Sequence, residues 1–143
     1  MGFKFRLATS LRLAVQELDK AQGVLAQEIR KLQQMEEFYR IEQEIFLNAL
    51  TEKNKACQYE PQVLIGWHIF CTNQKHKLDE ILIEIQKQED VILRIREDLK
   101  LCKIKTEKFK KLRAKQWKEY YAEQLRKDQL FIDDIAQRIG QDF

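Results

Sequence analysis

The chain has 143 residues, of which 34% are charged, and it contains only four glycines and one proline. Its length lies in the range of one domain, and its composition is typical of long-helix proteins and excludes an ordinary globular α/β enzyme. The net charge is only +3, so any charge preference for a partner has to come from local clustering.

The first part of the chain carries a heptad ladder, which predicts one long helix over about residues 3–54. Apolar residues recur at the spacing with which a coiled-coil seam faces a partner helix. The ladder consists of Leu11, Leu18, Leu25, Leu32, Tyr39 and Phe46. Around Phe38, Ile41 and Ile45 the apolar phase drifts, as an inserted stutter would make it do.

A connection is predicted at about residues 55–62. Proline is tolerated in the first turn of a helix and disfavours helix for the preceding residue, so we expect Pro61 to start the second helix. That helix is predicted over about residues 63–140, since residues 63–139 contain no proline and only one glycine, Gly66. Its ladder is Leu64, Cys71, Leu78, Ile85, Ile92 and Leu99, with a second set at Trp67, Ile81, Ile95 and Cys102.

A short connection makes two long helices antiparallel, so the two ladders can be compared. A bend near residues 58 and 59 aligns six layers. The layers are Leu11 with Thr106, Leu18 with Leu99, Leu25 with Ile92, Leu32 with Ile85, Tyr39 with Leu78, and Phe46 with Cys71. The sequence therefore predicts an all-α protein, a two-helix antiparallel coiled-coil hairpin, as a single unit over residues 1–143.

The second helix is predicted to continue beyond the first. Helix one runs out of chain opposite about residue 114, whereas the seam spacing of helix two goes on. The continuing positions are Trp117, Tyr121, Leu125, Asp128, Ile132, Ile135 and Ile139. An amphipathic segment without an intramolecular partner exposes apolar surface, which usually marks a protein contact. Fraying or self-association is the alternative.

Basic residues cluster in the same helix. Between Lys100 and Lys118 there are nine basic residues and one acidic residue, Glu107. In a hairpin this block lies beside the basic residues of the N-terminus, such as Arg12. An acidic cavity, an anionic membrane or a phosphate backbone would attract such a surface, and a solvated helix face is the alternative without a partner.

The sequence offers no catalytic, cofactor-binding or metal-binding arrangement. His68 and His76 are eight residues apart and form no metal-binding motif, and the four glycines are too scattered for a phosphate-binding loop. A two-helix rod also lacks a concave pocket in which a pKa can be shifted. We therefore expect a protein that is not an enzyme and has neither cofactor nor metal.

Membrane and targeting signals are weak. The longest apolar run, residues 63–71 with His68 inside it, is too short to span a bilayer. Three cysteines without C-x-x-C spacing suit reduced thiols in a cytosol. Residues 1–16 are basic and lack acidic side chains, as in a transit peptide or a surface anchor. The periodicity continues through Leu32, however, and favours the beginning of helix one.

Three stretches together resemble the flagellar FliJ family. Residues 1–13 (MGFKFRLATSLRL) are similar to the F-x-F-R-L opening of that family. Residues 107–124 (EKFKKLRAKQWKEYYAEQ) resemble its basic segment. Residues 128–138 (DQLFIDDIAQR) resemble its close, with Asp128 in place of the usual Glu and Asp134 where Glu is common.

The resemblance implies a non-enzymatic stalk component of the flagellar type III export apparatus, cytoplasmic and peripheral to the membrane at the flagellar base. FliJ-like proteins are held in the central hole of the hexameric export ATPase, contact the export-gate membrane protein and help to cycle export chaperones. Carried onto this chain, the resemblance implies an ATPase-ring contact at Lys110, Lys111, Arg113, Lys115, Trp117, Tyr121, Leu125 and Ile132. It implies an export-gate contact nearer the turn, at Phe38, Ile45, Trp67 and Phe70.

Three other interpretations stay open. The sequence separates a flagellar stalk poorly from the corresponding stalk of an injectisome. A nucleic-acid-binding arm would use the basic block, but such arms interleave exposed aromatic residues for base stacking, whereas Phe109 and Trp117 are predicted close to the seam. A structural dimeric coiled coil is the third. The hairpin interpretation predicts instead a monomer when free, with no nucleic acid as a partner.

Overall fold

The structure, a computed structural model, describes residues 2–141 and contains two long helices packed against each other as a hairpin. Helix α1 runs over Ala8–Tyr59 (52 residues) and helix α2 over Leu64–Gln141 (78 residues). A 3-10 turn at Pro61–Val63 lies between them. The all-α hairpin predicted from the two ladders is confirmed.

The connection is shorter than the sequence predicted. Helix α1 continues through Tyr59, five residues beyond its predicted end, and only Glu60 separates it from the 3-10 turn. Glu60 has φ −138° and ψ 72°, outside the helical region, as expected for the residue before a proline. Its N–H still donates to the Ala56 carbonyl at 3.0 Å. Pro61 therefore sets the end of α1, because no residue before Glu60 breaks the helix.

Helix α1 also begins later than predicted, at Ala8. Residues 2–5 have no regular secondary structure, and the Ala8 N–H donates to the Phe5 carbonyl at 3.1 Å. A non-helical segment covers up to about 3.3 Å per residue, against about 1.5 Å in a helix, so it reaches further along α2. The Phe3 ring lies 5.6 Å from the Tyr120 ring. The N-terminus therefore covers α2 as far as Tyr120, beyond the predicted limit.

Interhelical contacts group the chain into two compact units. Of the described residues, the turn unit comprises 21–98, and the terminal unit comprises 2–20 with 99–141. In the turn unit, Glu28 on α1 faces Gln88 on α2, and Glu42 faces Gln74. Residue numbers of facing positions therefore increase along α1 as they decrease along α2, so the two helices are antiparallel. The buried apolar residues contributed by α2 to this unit are Cys71, Leu78, Ile85 and Ile92, four members of the predicted ladder.

The phase drift predicted in α1 is wrong. Phe38, Ile41 and Ile45 are exposed on the flank of the helix. The second seam row of α1 steps by seven without interruption. Its members, all buried or half-buried, are Ala14, Ala21, Glu28, Met35, Glu42, Ala49 and Ala56. The apolar pattern of the sequence identifies only part of this row, including Ala14, Ala21 and Met35, because two of its members are glutamates.

Two polar layers cross the seam of the turn unit. Gln88 Nε2 donates to the backbone carbonyl of Glu28 at 3.0 Å and to its carboxylate at 2.6 Å. Gln74 Nε2 makes the same pair of bonds to Glu42, at 3.0 and 2.5 Å. The hydrogen bond from Gln74, followed by that from Lys77, lowers the pKa of Glu42. Both contacts lie within one residue of the register that the ladders predict.

The terminal unit has a small core. Leu11, Ala14, Leu99 and Thr106 are buried, and Thr106 is only 1% exposed. The Thr106 hydroxyl lies 3.3 Å from the Ala14 carbonyl and 2.9 Å from the Cys102 carbonyl. Thr106 thus contacts α1 one helical turn from Leu11, the residue with which the sequence aligns it. The hydroxyl lets a polar residue occupy the seam without an unpaired hydrogen-bonding group.

Candidate docking surfaces

The titratable side chains of residues 2–141 lie mostly at the surface. Within residues 2–141 there is no group of three or more His, Cys, Asp or Glu side chains that could hold a metal ion. His68 Nδ1 lies 3.0 Å from Lys53 Nζ, and His76 Nε2 lies 3.0 Å from a Glu80 carboxylate oxygen, all at the surface. Across the described length, neither helix has a stretch long and apolar enough to cross a bilayer.

An open groove of about 1020 Å³ lies in the terminal unit, between the N-terminal part of the chain and α2. We call it the basic groove. Its lining combines aromatic and aliphatic side chains with four cations. The lining residues are Phe3, Phe5, Ala8, Leu11, Arg12, Val15, Lys110, Arg113, Ala114, Trp117 and Lys118. The chain thus offers apolar contact area and positive charge at one concave surface.

The basic block between Lys100 and Lys118 is exposed and has few acidic neighbours. Within residues 2–141, two of its nine cations have a carboxylate within salt-bridge distance. These are Lys105 with Glu17 at 3.6 Å and Lys110 with its helix neighbour at 3.9 Å. Exposed pairs of this kind contribute little stability, about 0–1 kcal/mol. The block therefore keeps nearly all of its positive charge available to a partner.

The structure divides the basic residues expected at the ATPase contact into two sets. Lys110 and Arg113 line the basic groove together with Trp117. Lys111 and Lys115 are exposed on the same stretch of α2 but are not part of the groove lining. A partner that filled the groove would contact Lys110 and Arg113 directly. It would reach Lys111 and Lys115 only with a part that extended beyond the groove.

The C-terminal segment, residues 121–141, is exposed at every position except the half-buried Gln124. The rings of Trp117 and Tyr121 stack at 5.4 Å with an interplanar angle of 5°. Leu125 and Ile132, both expected at the ATPase contact, are more than half exposed. Further exposed apolar side chains of the segment are Leu130, Phe131, Ile135 and Ile139. This is a long apolar surface that the described chain does not cover.

The four residues expected at the gate contact share one flank of the turn unit. Trp67 and Phe70 meet edge to face at 6.0 Å, and Lys77 Nζ lies 5.5 Å from the centre of the Phe38 ring. Lys77 on α2 therefore lies beside Phe38 on α1. In the same antiparallel register, a step of seven residues toward the turn on each helix brings Phe70 beside Ile45. Phe38, Ile45 and Phe70 are exposed and Trp67 is half-buried. We call these four residues the flank patch.

A shallow groove of about 490 Å³ borders the flank patch at Phe38. Its apolar lining comes from Met35, Phe38 and Ile81. The polar lining has both signs of charge and consists of Lys31, Gln34, Lys77, Glu80 and Glu84. This surface therefore suits a partner segment of mixed charge, in contrast to the basic groove.

Sequence reasoning missed the aromatic part of the basic groove. Phe3 and Phe5 are more than a hundred residues from Trp117 in the chain, and the sequence predicts that they lie at the beginning of a helix. Their alternation with Lys4 was the available signal, since two aromatic residues on one side of a non-helical segment suit packing against a neighbouring helix. Arg12 was recognised as a basic neighbour of the block, and the structure places it in the groove lining.

These features define an all-helical hairpin protein with open grooves and exposed apolar faces. A profile of the flagellar FliJ protein family matches residues 3–142, nearly the whole chain. The chain therefore belongs to the flagellar FliJ family, and membership implies a component of the flagellar export apparatus. Comparisons with curated proteins and with solved structures gave no match.

Proposed function

We propose that this chain is a non-catalytic stalk that binds in the central hole of the flagellar export ATPase ring and links the ring to the export gate and to export chaperones. The observation that carries the proposal is the terminal unit, where an exposed basic block borders a long uncovered apolar helix face. The partners and the cytoplasmic location at the flagellar base come from the family to which the chain belongs.

The ATPase contact is proposed at Lys110, Lys111, Arg113, Lys115, Trp117, Tyr121, Leu125 and Ile132. All eight residues are exposed and lie on one continuous stretch of α2. Burying the apolar side chains of this stretch against the ring would stabilise the complex, by roughly 25 cal/mol for each Å² of apolar surface removed from water. The cations steer the stalk toward acidic surface and accelerate association more than they tighten it.

A stalk in a ring does not need catalytic groups of its own. By contacting several subunits it stabilises the assembled ring, and by contacting them unequally it favours one nucleotide state over another. Such a coupling between two sites typically amounts to about 1–3 kcal/mol. The proposal therefore suits a chain whose large apolar side chains are widely exposed and whose residues 2–141 hold no group of side chains for a metal ion.

Charge reversal tests the ATPase contact. We expect the triple variant Lys110→Glu, Lys111→Glu and Arg113→Glu to need about tenfold more protein for half-maximal stimulation of the export ATPase, since each exposed charge contributes up to about 1 kcal/mol. The effect is expected to shrink as salt is added, because exposed charges are screened.

The matched control reverses three exposed cations of the turn unit by Lys75→Glu, Arg94→Glu and Arg96→Glu. This change alters the net charge equally and is expected to leave stimulation unchanged. Stimulation that survives the first triple variant at physiological salt, or is lost equally in both, would exclude the basic block as the contact.

The gate contact is proposed at the flank patch, Phe38, Ile45, Trp67 and Phe70. Three of these large apolar side chains are exposed on one side of the turn unit although they are not needed for the seam. Contiguous exposed apolar residues of this kind mark interaction surfaces. An apolar helix or extended segment of the gate's cytoplasmic part, with a rim of mixed charge, fits the adjoining groove.

Pull-down with the cytoplasmic part of the export gate tests the flank patch. The double variant Phe38→Ser with Phe70→Ser is expected to lose binding, because anchor residues at the centre of an interface dominate its energy. The double variant Leu47→Ser with Ile69→Ser removes equally exposed apolar side chains elsewhere on the same unit and serves as the control. Equal retention of the gate by both variants would place the contact elsewhere.

Sedimentation of the free protein tests the remaining part of the proposal, a monomer without nucleic acid. A hairpin that satisfies its own seam is expected to sediment as one chain at micromolar concentration. Binding to duplex and single-stranded DNA, measured against salt, is expected to be absent at physiological ionic strength. Tight binding with a steep negative salt slope would favour the nucleic-acid arm instead.

A further inference from the structure

We infer that the basic groove is a binding site for a short acidic segment of a partner protein, in which an aliphatic or aromatic side chain of that segment enters the groove between carboxylates bound by the surrounding cations. The inference rests on the proposed function only for the identity of the partner, the export ATPase. The binding chemistry follows from the groove itself, which no part of residues 2–141 fills.

The groove has room for a side chain because two of its lining residues are small. Ala8 lies at the start of α1 and Ala114 on α2, and both are exposed. Phe3, Phe5 and Trp117 supply the aromatic part of the lining. The volume of about 1020 Å³ is at the upper end of the range for ligand sites, roughly 300–1,000 Å³. It suits several consecutive residues of a peptide.

The charge of the groove selects the occupant. Of the cations in the lining, only Lys110 has a carboxylate at salt-bridge distance within residues 2–141, the exposed Glu107 at 3.9 Å. Arg12 and Arg113 supply guanidinium groups, which bind carboxylates through two parallel hydrogen bonds. A neutral peptide would leave the cations of the groove unpaired, and a basic one would be repelled.

A peptide fits this surface better than a bilayer or a nucleic acid does. The groove is concave and its lining is largely apolar, whereas a bilayer presents a flat surface to cations. Stacking of bases needs free aromatic faces. Here one face of Trp117 is covered by Tyr121, and the Phe3 ring packs against Tyr120. Contacts within the chain thus use part of the aromatic surface of Trp117 and Phe3, and both residues line the groove.

A substitution that fills the groove without changing its charge tests the inference in the full chain. The probe is a fluorescently labelled synthetic peptide of about ten residues with a central Leu-Phe pair flanked by Asp and Glu, and binding is measured by anisotropy. Ala114→Leu is expected to weaken binding about tenfold, because the added side chain occupies the place of the anchor. Ala26→Leu, at an exposed helical alanine of the turn unit, is expected to have no effect.

The cations are tested with Arg12→Gln and Arg113→Gln, which are expected to weaken binding of the acidic peptide and to flatten its salt dependence. A peptide with Lys in place of each acidic residue is expected not to bind. The inference is overturned if Ala114→Leu binds the acidic peptide as tightly as the unchanged chain does. It is also overturned if vesicles of anionic lipid bind the unchanged chain and not Ala114→Leu, or if the chain sediments as a dimer that Ala114→Leu dissociates.

The outcomes separate this inference from the proposed function. Peptide binding that Ala114→Leu weakens, in a chain whose charge-reversed form still stimulates the ATPase, supports the groove and removes the ATPase as its partner. Stimulation that charge reversal abolishes, in a chain that binds no acidic peptide, supports the stalk and overturns the groove. Far-UV circular dichroism of each variant verifies that the hairpin is intact.

Discussion

Replacing Gln88 with Leu tests whether the polar layers hold the hairpin in register. Gln88 is 8% exposed, and its amide donates to two acceptors of Glu28, one of them a carboxylate. A net hydrogen bond contributes about 0.5–1.5 kcal/mol, and one to a charged group about 1.5–3 kcal/mol. Glu28 is half-buried and regains some hydration, and the leucine gains some apolar burial. We therefore expect a net loss of about 1–2 kcal/mol.

The assay is thermal and urea unfolding followed by far-UV circular dichroism. For a chain of this size, the loss corresponds to a melting temperature lower by about 4 °C. The double variant Glu28→Leu with Gln88→Leu is expected to regain at least the original stability, because an apolar layer leaves no polar group unpaired. Gln86→Leu, on an exposed position of the same helix, is the control and should change little.

A Gln88→Leu chain as stable as the original would refute this reasoning, since the two hydrogen bonds would then contribute nothing. The stabilised double variant carries a second expectation. A slip of one heptad would bring Gln88 opposite Ala21 or Met35, which accept no side-chain hydrogen bond. The polar layer therefore opposes such a slip, as a single buried polar residue fixes the register of a coiled coil. Removal of the layer is expected to permit alternative registers.

Further variants test the seam and its electrostatics. The hydrogen bond from Gln74 lowers the folded-state pKa of Glu42, so the ionised carboxylate stabilises the hairpin above the unfolded pKa of about 4.5. In urea unfolding, the unchanged chain is therefore expected to be more stable than Glu42→Gln. This difference in stability should disappear as the pH falls through the lower, folded-state pKa. Gly23→Ala is expected to raise stability by up to about 1 kcal/mol in urea unfolding, since open space surrounds its added methyl group. Ile85→Ala should cost about 2–5 kcal/mol because Ile85 is buried in the seam, whereas Ile83→Ala, at an exposed position, should change thermal unfolding little.

The sequence predicted the hairpin and the apolar ladder of α2 correctly for a simple reason. Large apolar residues at heptad spacing have to leave water, and a single proline leaves only one place for the chain to reverse. The same reasoning also predicted the ladder of large residues in α1, all of them buried or half-buried. It failed for the second seam row of α1, where Glu42 occupies the seam and Phe38 lies on the flank. A glutamate is buried only where a partner such as Gln74 meets it, and that partner belongs to the other helix.

The candidate docking surfaces likewise combine features that the sequence determines with features that only the tertiary structure decides. The sequence by itself determined that α2 carries a basic block and an apolar face beyond the seam, because charge and periodicity along one helix are local properties. Only the tertiary structure decided that Phe3, Phe5 and Arg12 line one groove with Trp117. That juxtaposition depends on a non-helical N-terminus reaching along α2, and the positions of residues brought together across two chain segments are decided by packing between those segments.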